Sequence, residues 1–179
     1  STTISILCGQ LAKDAGSIVV DGADLDHDAD KIKRELGVVF QASVLDKALS
    51  VRDNLAYRAA MYGITGEAFR RRLAELASML EFEDLLNRTV GKLSGGQRQR
   101  AYIAMVIAQD TEYILLDEPT NNLDIYHATN LMRIVRRLCD ELGKTVILVL
   151  HEINYAAFYS DYICAFVNGK IAKFGTVQE

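Results

Sequence analysis

Helical periodicity runs through much of the chain. In several segments apolar residues recur every three or four positions, so each predicted helix has one apolar face. These segments are residues 2–11, 51–62, 69–80, 97–108 and 131–142. Gly63 and Gly66 separate two of them, and Gly143 is placed to end the last. The aromatic residues between positions 57 and 82 fit core positions, although some should be exposed if a partner docks there.

Short apolar runs predict strands between these helices. Residues 36–40 and 113–117 are two such runs, and turn residues flank a shorter one at 16–21. Residues 145–150 form another, which we expect to be buried on both faces of a parallel sheet. Near the end of the sequence, Asn168 and Gly169 lie between two apolar runs and predict the tight turn of a β-hairpin.

Composition narrows the class of protein. The chain has 179 residues, half of them hydrophobic, and a single proline, which suits one globular domain with a substantial core. The formal net charge of −4 gives no overall attraction for nucleic acid, so none is expected as a partner. No apolar run approaches the roughly 18 residues that span a bilayer. If the protein works at a membrane, a partner supplies the membrane part.

The cysteines favour a reducing compartment. Cys8, Cys139 and Cys164 are far apart, odd in number and lie in apolar segments. Small buried side chains explain this pattern better than disulfides or a metal cluster do. The cytosol is therefore the default expectation.

Ser94, Gly95, Gly96 and Gln97 introduce the helix predicted at residues 97–108. Two glycines let the backbone approach a bound group closely, and free N–H groups at the start of a helix attract anions. We call these four residues the Ser-Gly-Gly turn. It is predicted to be an anion site, the alternative being a plain helix cap.

Polar side chains follow the predicted strands. Asp117 ends the strand at 113–117 and Glu118 follows it directly, and Gln41 and His151 follow two other strands. Ligand groups in open α/β sheets gather at the carboxyl ends of strands, so these four side chains are expected at one edge. A carboxylate pair alone would often only cap the next turn. Together with a phosphate site, it indicates nucleotide chemistry.

These motifs in this order resemble the ATP-binding cassette (ABC) ATPases. The resemblance rests on Leu-Ser-Gly-Gly-Gln at 93–97, the strand ending in Asp-Glu, Asn-Leu-Asp at 122–124 and His151, and it covers nearly the whole chain. It implies an α/β fold of the P-loop NTPase type, with a mainly parallel sheet flanked by helices. It also implies one domain over residues 1–179, with a helical subdomain at about 50–95 inserted within it.

The resemblance assigns roles to individual residues. Glu118, His151 and Gln41 would be catalytic, and Mg²⁺ would be held by Ser1, Gln41 and Asp117. Contacts to ATP are implied for a larger set, partly across a head-to-tail dimer with a second copy. That set is Ser1, Thr2, Gln41, Ser94, Gly95, Gly96, Gln97, Asp124 and His151. Transmembrane permease subunits are the other implied partners, which would hold the protein on the cytoplasmic face of the inner membrane.

The start of the sequence predicts a missing segment. Ser1 and Thr2 resemble the last residues of the family's phosphate loop, whose glycines and lysine would precede them. The alternative is an ordinary helix that opens with hydroxyl residues as a cap. If Ser1 is the first residue of the protein, we expect the chain to bind MgATP too weakly to hydrolyse it.

The two halves resemble different subfamilies. Val-Val-Phe-Gln at 38–41 and Val-Arg-Asp-Asn-Leu at 51–55 are similar to ATPases of drug and polysaccharide exporters. Residues 118–124 and 151–154 are instead similar to ATPases of iron–siderophore importers. The chain is therefore hypothesised to be a mosaic joined near the Ser-Gly-Gly turn.

Three functions stay open at this point. The favoured one is the ATPase that powers a membrane transporter through ATP-driven dimerisation. The second is an ABC ATPase of repair or translation, although such proteins usually carry two cassettes or a long coiled-coil insertion. The third is a folded fragment that no longer binds ATP.

Overall fold

The computed structural model describes residues 2–39, 45–121 and 123–178. These residues form helices and strands, with three consecutive helices between the first two strands of the parallel sheet, and two 3₁₀ turns lie at Glu83–Leu85 and Val90–Lys92. The elements in chain order are α1 Thr2–Leu7, β1 Val19–Val20, β2 Ala23–Asp24, α2 Ala29–Glu35, β3 Leu36–Val39, α3 Val51–Ala60, α4 Gly66–Met79, α5 Gly95–Ile107, β4 Tyr113–Asp117, α6 Ile125–Leu142, β5 Thr145–Val149, α7 Ile153–Tyr159, β6 Tyr162–Val167 and β7 Lys170–Thr176.

A parallel sheet in the order β3-β4-β5 forms the centre of the fold. Leu116 on β4 pairs with Val39 on one side and with Leu148 on the other. The middle strand is the most buried, with Leu116 at 0% exposure. Strand-to-strand connections through helices produce this parallel arrangement. The predicted α/β fold with a parallel sheet flanked by helices is confirmed.

The prediction that β5 is buried on both faces is wrong. Ile147 is 50% exposed, and Thr145 is exposed as well. Among the described residues β5 pairs with β4 alone, so it forms an edge of this sheet. The exposed Thr145 and Ile147 share one face, whereas Val146 and Leu148 on the other face pack against buried side chains, and the apolar sequence does not indicate which face is covered.

Helix α5 packs closely against β3. A methyl group built on Gly37 would lie 2.5 Å from the Thr111 hydroxyl oxygen and 2.7 Å from a Val106 methyl group. Only glycine therefore lets the strand approach this side of the molecule so closely. The same helix contributes Ile103, Val106 and Ile107 to the main buried cluster.

Helices α3 and α4 bury the predicted apolar faces. Val51, Leu55 and Ala59 of α3 are fully buried, and Leu73 and Leu76 of α4 join the same cluster as α5. As predicted, some aromatic residues of this region are buried and others are exposed. Phe82 is buried, whereas Tyr57 is 67% exposed on α3.

Ion pairs fasten α4 to the ends of two other helices. The guanidinium of Arg72 donates to the Ile107 carbonyl and to the Asp110 carboxylate, at 3.1 and 2.8 Å. The ammonium of Lys144, just after α6, donates to the same carboxylate at 3.2 Å. The Arg72 side chain is 15% exposed and the Lys144 side chain 13% exposed. The shared Asp110 carboxylate is 52% exposed, so water screens these interactions in part.

Two small hairpins lie outside the parallel sheet. Strands β6 and β7 pair in antiparallel fashion, and Asn168 and Gly169 have the positive φ angles of 51° and 74° that their turn requires. This confirms the predicted hairpin. The strand predicted at residues 16–21 is shorter, because only Val19–Val20 pairs, with Ala23–Asp24.

The three cysteines are free, and their environments differ. Burial raises the pKa of the Cys8 thiol and of the Cys139 thiol, which keeps both in the unreactive protonated form. The prediction of buried side chains is wrong for Cys164, which is exposed because it lies on the outer hairpin.

None of the helices in the described ranges is both long and apolar enough to cross a membrane.

Candidate functional site

The carboxylate pair lies at the carboxyl end of the central strand. Asp117 closes β4 and is 6% exposed. Glu118 follows with a φ angle of 51°, and its N–H donates to the Val149 carbonyl at 3.1 Å. A left-handed backbone at a residue other than glycine costs about 1 kcal/mol or more, so surrounding contacts must hold it. The turn directs the two adjacent carboxylates into different surroundings.

Glu118 and His151 form a hydrogen-bonded pair. Glu118 Oε1 is 2.7 Å from His151 Nε2, and Glu118 Oε2 accepts from the Asn121 amide at 3.2 Å. An ionised carboxylate can only accept, so Nε2 of His151 carries the proton in this contact. The Glu118 side chain is 20% exposed and the His151 side chain 74% exposed. The carboxylate is thus held from two sides, while the histidine remains open to solvent.

A second contact joins the loops that carry this pair. The Thr120 hydroxyl donates to Glu152 Oε2 at 3.2 Å. Thr120 follows β4 and is 5% exposed, and Glu152 follows β5. The two loops are therefore connected at two points, which fixes the distance between Glu118 and His151.

The Ser-Gly-Gly turn opens α5 with a complete capping box. The Ser94 hydroxyl accepts from the Gln97 N–H at 3.3 Å, and Gln97 Oε1 accepts from the Ser94 N–H at 3.0 Å. The first N–H groups of a helix have no partner inside it, which leaves those of Gly95 and Gly96 for a ligand. The space beside Gly95 is open, with no atom within 4 Å of a methyl group built on it.

Asp124 caps α6 through the first turn of that helix. Its Oδ1 accepts from the His127 N–H at 2.8 Å, and the His127 Nδ1 lies 2.8 Å from both carboxylate oxygens. The backbone N–H of His127, followed by the imidazole contact, lowers the pKa of the Asp124 carboxyl. The carboxylate is 65% exposed and ionised, so it presents a fixed negative charge at the surface.

The predicted residues fall into two contact groups. Glu118 and His151 are together at the carboxyl end of the sheet, with Asp117 adjacent. The Ser-Gly-Gly turn and Asp124 are together at the N-termini of α5 and α6, joined through His127. Thr2 is exposed at the start of α1. Ser1 and Gln41 lie outside the described residues.

Sequence reasoning missed two contributors to these groups. Asn121 supports the Glu118 carboxylate, and its position three residues after Glu118 was a usable signal. His127 follows Asp124 at the same spacing, which is the spacing at which a helix-capping side chain meets the third helical residue. In the described ranges no three His, Cys, Asp or Glu side chains are grouped so as to hold a metal ion by themselves.

Comparison with known proteins identifies the family. The family model for ABC transporters matches residues 1–121. The petrobactin import ATP-binding protein YclP of Bacillus subtilis is 41% identical over 182 residues, which cover 100% of this chain and 72% of that protein. The petrobactin import ATP-binding protein FatE of Bacillus anthracis is 40% identical, over 100% of this chain and 73% of its own.

The fold has close structural counterparts. One is a dimeric ATP-binding cassette, MJ0796, in a post-hydrolysis state bound to ADP and phosphate. It superposes with a TM-score of 0.83 at 29% identity, over 99% of this chain and 80% of its own.

The full-length alignments leave the mosaic hypothesis a prediction, because they do not compare residues 1–92 and 98–179 separately. They do favour transport over repair or translation, since the similar proteins named above are import subunits and a cassette dimer. The chain therefore belongs to the ABC transporter family and is a transporter-powering ATPase of the ATP-binding cassette type.

Proposed function

We propose that Glu118 is the general base that activates water for attack on the γ-phosphorus of ATP. In this reaction the water oxygen bonds to phosphorus, the bond to the ADP oxygen breaks, and Glu118 takes the proton. The observation that carries the proposal is the 2.7 Å contact between Glu118 Oε1 and His151 Nε2. His151 orients the carboxylate and reaches the γ-phosphate, since its ring is largely exposed.

Mg²⁺ is the proposed metal partner of the nucleotide. It prefers oxygen ligands, and the buried Asp117 carboxylate at the end of β4 suits a contact through water. Ser1 and Gln41 complete the proposed ligand set, and Ser1 and Thr2 are proposed to end the phosphate loop. When bound, Mg²⁺ neutralises part of the charge on the phosphates.

Two copies are proposed to act together, head to tail. The Ser-Gly-Gly turn of one copy then binds the ATP held by the other copy, with Gly95, Gly96 and the Ser94 hydroxyl facing the γ-phosphate. Asp124 connects the two nucleotide sites across the interface. The free N–H groups at the start of α5 and the open space beside Gly95 support this assignment.

A groove beside α3 is the proposed docking site for the permease. The cavity measures about 630 Å³ and is lined by residues of α2, β3, α3 and α5, together with residues just after α1 and α3. Tyr57 and Met61 at its rim are 67% and 74% exposed. Exposed aromatic and methionine side chains are typical of protein interfaces. We propose that residues at about 50–95 form a helical subdomain inserted in the domain, and that docking here holds the chain on the cytoplasmic face of the inner membrane.

Import of petrobactin is the proposed transport reaction, because two similar proteins are petrobactin import subunits. The ATPase, reconstituted in vesicles with the permease that co-purifies with it, should drive uptake of radioactive iron bound to petrobactin. Tyr57→Asp should reduce co-purification and uptake at least tenfold, whereas Val19→Asp, at a residue 60% exposed on β1, should leave both unchanged. Equal uptake of iron bound to a hydroxamate would reject specificity for petrobactin. Normal uptake with the Tyr57→Asp protein would reject the proposed docking site.

His151→Ala should slow ATP turnover on the order of 10²-fold, because the Glu118 carboxylate loses the contact that orients it. The thermal unfolding midpoint should change little, since the side chain is 74% exposed. Steady-state phosphate release measures the effect, and His27→Ala, at another exposed histidine, is the control. Turnover by His151→Ala within threefold of the parent would exclude the orienting role.

A further inference from the structure

His127 lies directly over Gly96. A methyl group built on Gly96 would come within 1.9 Å of His127 Cδ2 and 2.6 Å of Nε2. Gly96 belongs to the first turn of α5, and His127 belongs to the first turn of α6. The imidazole ring therefore fills the position that any other side chain at residue 96 would need.

The ring is held in this position by Asp124. An ionised carboxylate only accepts hydrogen bonds, so the His127 Nδ1 donates to it, at 2.8 Å from either oxygen. The neighbouring Tyr126 ring packs edge-on against the imidazole, with centroids 5.5 Å apart. The imidazole cannot swing away from Gly96 without losing the bond to Asp124. One side chain thus connects the Ser-Gly-Gly turn to Asp124 within a single subunit.

We propose that His127 is a positioning residue that holds the Ser-Gly-Gly turn and Asp124 in one fixed relation. The inference rests on the proposed function, in which both groups act on the partner's side of the dimer. Both must reach the facing nucleotide site at the same time. A rigid connection prevents the Ser-Gly-Gly turn and Asp124 from moving independently when the dimer closes. Misplacement of a group in the site by about 1 Å can cost on the order of 10²-fold in rate.

His127→Ala should lower kcat for ATP at least tenfold and weaken ATP-driven dimerisation. Binding of ATP to the isolated subunit should stay within twofold, because that step precedes contact with the partner's turn. The unfolding midpoint should stay close to the parent, since the His127 side chain is 43% exposed. Arg133→Ala, at an exposed residue farther along α6, should leave all these quantities unchanged.

His127→Asn separates the two contacts and guards against a folding defect. Its amide can still donate to Asp124 and preserve the helix start, but it leaves Gly96 uncovered. We expect a kcat between those of the alanine variant and the parent. Parental kcat in either His127→Ala or His127→Asn would overturn the proposal.

A double-mutant cycle with Gly96→Ala measures the coupling directly. In the parent, the new methyl group meets the imidazole and should displace it from Asp124, with a large loss of kcat. In the His127→Ala background the same methyl group meets no ring and should cost at least fivefold less. Equal losses in the two backgrounds would overturn the proposal. Glu118→Gln is assayed in parallel, because retained turnover by that variant would reject the proposed function rather than the role of His127.

Discussion

Glu118→Gln should keep ATP binding and nearly stop turnover, with a loss of ~10²–10⁴-fold. Glutamine matches glutamate in shape: its amide oxygen can still accept from the Asn121 amide, and its NH2 group can donate to His151 Nε2 in the other imidazole tautomer. It cannot take a proton from water. With hydrolysis blocked, ATP should accumulate in a stable dimer, which sedimentation velocity and single-turnover phosphate release can measure together.

Glu152→Gln is the matched control for that result. Glu152 follows His151 in sequence and accepts a hydrogen bond from Thr120 at 3.2 Å. The amide oxygen of glutamine can accept the same bond, so turnover should stay near the parental value. If Glu118→Gln instead keeps turnover within about threefold of the parent, Glu118 is not the base and His151 becomes the candidate.

Apolar periodicity correctly predicted the helices that bury one face. The faces containing Val51, Leu55 and Leu76 are buried as predicted, because a helical stripe of apolar residues has few other ways to leave water. The Asn168-Gly169 turn followed from backbone sterics alone. Both features depend on residues close together in the sequence, so the sequence alone was enough to predict them.

Features that depend on neighbours were not predictable in the same way. Helix α2 has one fully buried residue, Ile32, among charged side chains, so its sequence shows no apolar stripe. The exposure of Ile147 depends on which segments cover that face of β5. Both depend on contacts between segments that are distant in the sequence.

The candidate site was only partly predictable, because some of its contacts join segments that are distant in the sequence. Glu118 and His151 were expected at one sheet edge because parallel strands align their carboxyl ends, and the 2.7 Å contact agrees with that expectation. The packing of His127 against Gly96 joins residues 31 positions apart on two different helices, and no local pattern encodes it. The contact between the capping residue Asp124 and His127 could be anticipated from their spacing, but the contact of His127 with Gly96 could not.

Ser94→Arg should abolish ATP-driven dimerisation while leaving the subunit folded and able to bind nucleotide. Ser94 is exposed at the start of α5, so an arginine there can extend into solvent in the monomer. In the proposed dimer that space holds the partner's γ-phosphate, and a bulky side chain would keep the two surfaces apart. Sedimentation velocity in the Glu118→Gln background, where the ATP-bound dimer is expected to be stable, gives the clearest measurement.

The loss of a helix cap has to be separated from this steric effect. Ser94→Arg also removes a cap, since the hydroxyl accepts from the Gln97 N–H, and such a loss typically costs about 1 kcal/mol. Ser50 caps α3 in the same way, accepting from the Asp53 N–H at 3.1 Å. Ser50→Ala should therefore show a similar loss of stability with normal dimerisation, and Ser94→Ala should dimerise far better than Ser94→Arg. A Ser94→Arg protein that dimerises normally with ATP would mean that the Ser-Gly-Gly turn is only a helix cap, because an anion site facing a partner's phosphate cannot tolerate that side chain.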